Sequence, residues 1–170
     1  MNLDSYIAKI PDYPKPGVLF RDISPLLGNG EAFHEAIDQM GARTADLDFD
    51  LIIGSEARGF IFGTPLAYLL KKPFIPVRKK GKLPQETVSV EYELEYGTAT
   101  LEIHKDAIRP GQRILIVDDL IATGGTIQAM KELTESLGGQ VVGVCVLMEL
   151  KDLGARALLD GVRVDSVLVY

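Results

Sequence analysis

Residues 114–126 read Ile-Leu-Ile-Val-Asp-Asp-Leu-Ile-Ala-Thr-Gly-Gly-Thr, and the fold class follows from them. The four apolar residues Ile114 to Val117 read as a strand buried on both faces, as in a parallel sheet. The pattern predicts that this strand ends where Asp118 and Asp119 begin. A loop of small and hydroxyl-bearing residues follows (Ala122, Thr123, Gly124, Gly125, Thr126) and opens a helical pattern running to Leu137. In open α/β sheets, ligands bind beyond the carboxyl ends of the strands. Free N–H groups in such a loop and at the helix N-terminus favour a phosphate. Carboxylates repel a phosphate but accept hydrogen bonds from hydroxyls. A site that wants a phosphate and a diol side by side suggests a ribose 5-phosphate. A divalent-metal site is the alternative for two acids at a strand end. However, the chain has no GxxxxGK[ST], and no GxGxxG follows a strand. Thr126 taken alone would also read as a helix N-cap.

Outward from this stretch, helical and strand patterns alternate. Helices are expected over 31–45 and 61–70, and strands over 51–53, 74–77, 141–148 and 162–169. Residues 87–95 and 98–103 alternate in polarity around Tyr96-Gly97 and read as an antiparallel hairpin. Residues 3–10 carry a short amphipathic helical pattern. The prolines of 11–25 predict an irregular segment. The expected class is therefore α/β, a mainly parallel sheet flanked by helices on both faces.

The chain has 170 residues, enough for one domain with a sizeable core. Its net charge of −6 argues against a nucleic-acid-binding face. The single cysteine, Cys145, lies in an apolar run and reads as a core residue. One cysteine allows no disulfide within the chain, which fits a reducing, cytoplasmic location. No apolar run is long enough to span a membrane, and the first ten residues do not read as a signal peptide.

Three further clusters could carry chemistry. Gly54-Ser55-Glu56-Ala57-Arg58-Gly59-Phe60 follows a buried strand and enters a helix, so Arg58 reads either as a pyrophosphate clamp or as a surface turn residue. Arg78, Lys79, Lys80 and Lys82 place four positive charges in five residues of an acidic chain. They read as a solvated face or as a holder for a pyrophosphate leaving group. Glu93-Leu94-Glu95-Tyr96-Gly97 lies at the expected hairpin tip.

The run 114–126 resembles the phosphoribosyl-pyrophosphate (PRPP) signature of the type I phosphoribosyltransferases. The stretches Tyr13 to Pro25, Glu56 to Phe60, Val77 to Pro84 and Leu94 to Gly97 are similar to the adenine branch of that family. The resemblance covers nearly the whole chain. It implies the type I fold with a helix and purine hood over 1–27 and a mobile lid, including the hairpin, over 79–103. The hood residues Leu19, Phe20 and Arg21 would bind adenine. Arg58, Arg78, Lys79 and Lys82 would hold the pyrophosphate of PRPP, with Arg78 acting in trans in a homodimer. Asp118 and Asp119 would take the ribose hydroxyls, and Ala122 to Thr126 the 5-phosphate. Glu95 and Tyr96 would serve catalysis at purine N7. Mg²⁺ would be bound mainly through PRPP and pyrophosphate, with no dedicated metal ligands. The implied reaction joins a 5-phosphoribosyl group to adenine N9. A 6-oxopurine enzyme or a PRPP-sensing regulator of the same fold are the alternatives. Two departures from the family pattern stand out: Ala57 where Ser is common, and Tyr13 where Phe is common.

Overall fold

A computed structural model describes residues 1–94 and 97–170. The chain divides into two compact units, Met1–Gln39 and Met40–Tyr170.

In the first unit, Leu3 and Ile7 are buried, as the amphipathic reading of 3–10 expects, but Ile10, which that reading puts on the same side, is exposed. They do not share a continuous helix, however. A 3₁₀ turn, Leu3–Tyr6, gives way to strand β1, Ala8–Ile10. β1 pairs antiparallel with β2, Phe20–Asp22, placing Lys9 opposite Arg21. Backbone pairing across the proline-rich loop captures three residues of the segment expected to be irregular. The short helix α1, Ser24–Leu27, starts with Pro25 in its first turn, where a missing N–H costs nothing. Helix α2, Gly30–Arg43, carries the chain into the second unit.

The second unit is built on one seven-stranded sheet. Its strands are β3 (Leu51–Ser55), β4 (Phe74–Lys79), β5 (Thr87–Leu94), β6 (Gly97–His104), β7 (Arg113–Ile121), β8 (Gln140–Glu149) and β9 (Val164–Val169). Their order is β5-β6-β4-β3-β7-β8-β9. The four strand pairs from β4 to β9 are parallel, and the β5–β6 hairpin joins antiparallel through β4. Helix α3, Arg58–Leu70, connects β3 to β4, while α4, Gly125–Ser136, connects β7 to β8. The two crossovers run in opposite directions from the centre, so right-handedness puts their helices on opposite faces. Ile114 and Ile116 share one apolar core with Ile127, Met130 and Leu133 of α4. Leu115 and Val117 are equally buried and alternate to the other face. Cys145 is fully buried among these strands, as expected, and burial pushes its thiol up to about 12. After β8 come a 3₁₀ turn, Lys151–Leu153, and helix α5, Ala155–Leu158, neither of which was expected. No helix among the described residues is long and apolar enough to cross a membrane.

Candidate active site

The site begins with a correction to the expected strand end. β7 does not stop at Val117 but runs through both acids to Ile121. Its ladder with β8 continues, with Asp118 opposite Val146 and Ile121 opposite Glu149. On the other side, pairing with β3 ends at Ile116. Beyond that point β3 and β7 part, and their crossovers leave in opposite directions. This is the switch point at which open α/β sheets bind ligands. Asp118 and Asp119 therefore stand on a rigid strand that is paired on one side only.

Both acids are nearly enclosed, at 8% and 4% exposure. The Asp119 backbone N–H donates to Asp118 Oδ1 at 2.8 Å. Burial first, and the adjacent Asp119 charge second, push the Asp118 carboxyl well above its ordinary range. Arg58 Nε lies 3.2 Å from Asp119 Oδ2, close enough for an ion pair, but no hydrogen bond reaches that oxygen. A buried carboxylate oxygen without a donor is costly, so this corner suits a ligand that brings hydroxyls.

The following loop supplies the opposite chemistry. Gly124, at φ +92°, is the N-cap of α4, and no side chain caps this helix end. Thr126 is therefore not the cap but stands inside the first turn. A side chain at Gly124 would be strained by that φ, and its Cβ would come within 3.1 Å of Ala155 Cβ. The loop is thus pressed against α5. Its other side opens into a cavity of about 450 Å³ that also holds Asp118, Asp119, Arg58 and Lys79. One end of this cavity offers acceptors, and the other offers N–H and O–H donors at a positive helix end.

Comparison with known proteins agrees with this geometry. The phosphoribosyl transferase domain family matches residues 28–165. An adenine phosphoribosyltransferase of Lachnoclostridium phytofermentans is 56% identical over 168 residues, covering 99% of this chain and 97% of its own. The crystal structure of the adenine phosphoribosyltransferase from Thermoanaerobacter pseudethanolicus superposes with a TM-score of 0.96 at 53% identity, covering 99% and 98% of the two chains. That of Saccharomyces cerevisiae, complexed with an imino-altritol bisphosphate and adenine, gives 0.91 at 39% identity over 98% and 96%. The chain belongs to the adenine phosphoribosyltransferases.

Of the residues that the likeness to adenine phosphoribosyltransferases singles out, the structure brings Arg58, Lys79, Asp118, Asp119 and the loop Ala122 to Thr126 into one cavity. Arg78 is not among its lining residues. Its guanidinium makes two hydrogen bonds to Glu56 of the same chain, at 3.1 and 3.2 Å. The Lys79 N–H adds a third to Glu56 at 2.9 Å. Arg78 foremost, then this N–H, holds the Glu56 carboxyl below the usual range. Lys82 is exposed and lies outside the cavity lining. Leu19, Phe20 and Arg21 belong to the first unit, where Leu19 is exposed and Phe20 meets Tyr13 edge-on at 5.2 Å. Glu95 and Tyr96 lie outside the described residues.

Two participants were missed in the sequence. Glu56 was quoted there without a role, because its partner Arg78 is 22 residues away. Tyr92 lines the cavity with its hydroxyl 3.4 Å from Thr126 Oγ1, 34 residues on. The signal for Tyr92 was the alternation Val88, Val90, Tyr92, which points all three at the core.

Proposed function

We propose that this chain transfers the 5-phosphoribosyl group of PRPP to N9 of adenine, giving AMP and pyrophosphate, a purine-salvage reaction. The observation that carries this reading is the pair of buried acids on β7 sharing one cavity with the uncapped start of α4. Full-length likeness to adenine phosphoribosyltransferases supports the choice of base.

In this reading the ribose hydroxyls donate to Asp118 and Asp119, answering the Asp119 oxygen that lacks a hydrogen bond. Backbone N–H groups of residues 122–126 and the hydroxyls of Thr123 and Thr126 hold the 5-phosphate. Arg58 and Lys79 face the pyrophosphate. Lys82 and the Arg78 of a partner subunit join them, so that a homodimer is the working unit. Leu19 packs on the purine, with Phe20 beside it. The Arg21 carbonyl accepts from the exocyclic amine. As the C1–oxygen bond to pyrophosphate breaks, positive charge builds on the ribose and negative charge on the leaving group. The cations stabilise the leaving group in a site closed to water. Adenine N9 then bonds to C1. Glu95, with Tyr96 beside it, shares a proton with N7 and eases loss of the N9 proton.

The donor set fits Mg²⁺. Asp118 and Asp119 bring only oxygen donors to the cavity, the ligand type that Mg²⁺ takes alongside waters and substrate oxygens. Bound through PRPP and pyrophosphate, with Asp118 and Asp119 facing the ribose hydroxyls, it would neutralise charge on the leaving group. The reading places the protein in the cytoplasm with no nucleic-acid or membrane partner.

Release of pyrophosphate from PRPP with adenine, hypoxanthine or guanine tests the proposal. Strong preference for adenine is expected, since the 6-oxopurines present a carbonyl where adenine presents a donor. Comparable AMP and IMP yields would reject adenine as the base. No product from any base would reject the transferase itself.

A further inference from the structure

The edge of the hairpin ends its contact with the core at one residue. Along β5, Val88, Val90 and Tyr92 turn inward and pack on the main core. The next inward position, Leu94, is already half exposed. Tyr92 is thus the last point at which this strand is anchored. What it is anchored to is the start of α4. A Cβ built on Gly125 would stand 3.9 Å from Tyr92 Cδ2, ordinary van der Waals contact. The Tyr92 hydroxyl stands 3.4 Å from Thr126 Oγ1.

That distance is longer than the 2.7–2.8 Å at which two hydroxyls usually bond. The hydrogen bond between them is therefore a long, weak one, and both residues line the cavity at the uncapped helix end. If packing alone were required, phenylalanine would serve on this face of β5. A phenolic O–H is a donor as well as an acceptor. At a positive helix end, the ligand that uses two such donors is an anion with oxygen acceptors.

We propose that Tyr92 is a phosphate-binding residue: its hydroxyl and that of Thr126 donate together to the 5-phosphate of the ribosyl substrate. This rests on the reading of residues 122–126 as the phosphate loop. It adds a contact from outside that loop, and it ties the hairpin to α4 through the ligand. Occupancy of the 5-phosphate position then helps to hold β5 against α4. Pyrophosphate, which faces Arg58 and Lys79, gains nothing from Tyr92.

The test is Tyr92→Phe, which keeps the ring and its packing on the core. Titration calorimetry would use ribose 5-phosphate, PRPP and pyrophosphate as separate probes, with the thermal midpoint measured alongside. The expected result is a loss of about tenfold or more in affinity for ribose 5-phosphate and PRPP, the usual scale for a hydrogen bond to a charged group. Pyrophosphate affinity and the midpoint stay unchanged, and KM rises for PRPP but not for adenine. A hydroxyl that serves only the fold, through Thr126, would lower the midpoint and weaken all three ligands alike, which would overturn the inference. Unchanged ribose 5-phosphate affinity in Tyr92→Phe, with the wild type binding normally, would overturn this inference alone. A wild-type chain without affinity for ribose 5-phosphate would overturn the phosphate-loop reading as well.

Discussion

Asp118 shows how a buried acid works against its own fold. Its folded pKa is raised, so the folded state holds a proton more tightly than the unfolded chain does. Stability from this group therefore falls as pH rises from the unfolded value, about 3.9, through the raised folded value. Asp118→Asn removes that fall while keeping an oxygen for the Asp119 N–H. The ligand-free variant is expected to melt higher than wild type near neutral pH, with the gap closing in acid. It is also expected to bind PRPP more weakly, by about 1.5–3 kcal/mol for a charge-assisted bond. Thermal melts across pH and calorimetry check both halves. Glu149 has the opposite sign. It is 2% exposed, takes both Arg156 Nε and Nη2 at 2.8 Å and the Ser166 hydroxyl at 2.6 Å, and its carboxyl is held low, chiefly by Arg156. Its contribution is present above the unfolded value, about 4.3, and lost as pH falls through the lower folded one. Arg156→Met should cost about 1–3 kcal/mol at pH 7, less than a fully enclosed pair because the arginine is half exposed. Urea melts at pH 7 and pH 3 should show that difference shrinking in acid.

Between elements, contact distance decides what propensity cannot. Gly63 lies within α3, where alanine would ordinarily gain up to about 1 kcal/mol. A Cβ there would meet Phe74 Cε1 at 2.5 Å, and that ring already packs edge-on against Phe60. The clash wins: Gly63→Ala is expected to destabilise by about 1–3 kcal/mol, and Phe74→Leu in the same chain to recover part of it. Denaturant midpoints of the two single variants and the double would show it, and a stabilised Gly63→Ala would refute it. The same scale explains which readings of the sequence succeed. The acids of β7 and the small-residue loop beside them in the cavity were legible because strand, acids, loop and helix start follow one another in thirteen residues. The end of β7 was not legible, since it depends on β8 continuing alongside after β3 has stopped. The small β1–β2 sheet was hidden for a similar reason: a buried Leu3 and Ile7 fit a helical stripe as well as a turn followed by a strand. Glu56 with Arg78, and Tyr92 with Thr126, are meetings across the sheet that no local pattern encodes.

For the whole molecule, the question is where Arg78 works. Its two bonds to Glu56 fix the base of the basic cluster against the end of β3 in its own chain. The proposed role lies in a neighbouring subunit's site. Mixing Arg78→Ala chains with Asp119→Asn chains separates the cases. If Arg78 serves a partner, hybrids regain one intact site and activity returns after subunit exchange. If it serves only its own chain, both sites of every hybrid remain defective and the mixture stays inactive. Sedimentation of the mixture shows whether the hybrids form.

β5 is the outermost strand of the sheet, and its unpaired side is a template on which another extended chain could grow. Glu91 and Glu93 stand exposed on the face opposite Tyr92. A second copy of β5 laid alongside would bring these carboxylates against their own kind, and like charges across a strand pair repel. The hairpin can thus remain an open edge without seeding polymerisation.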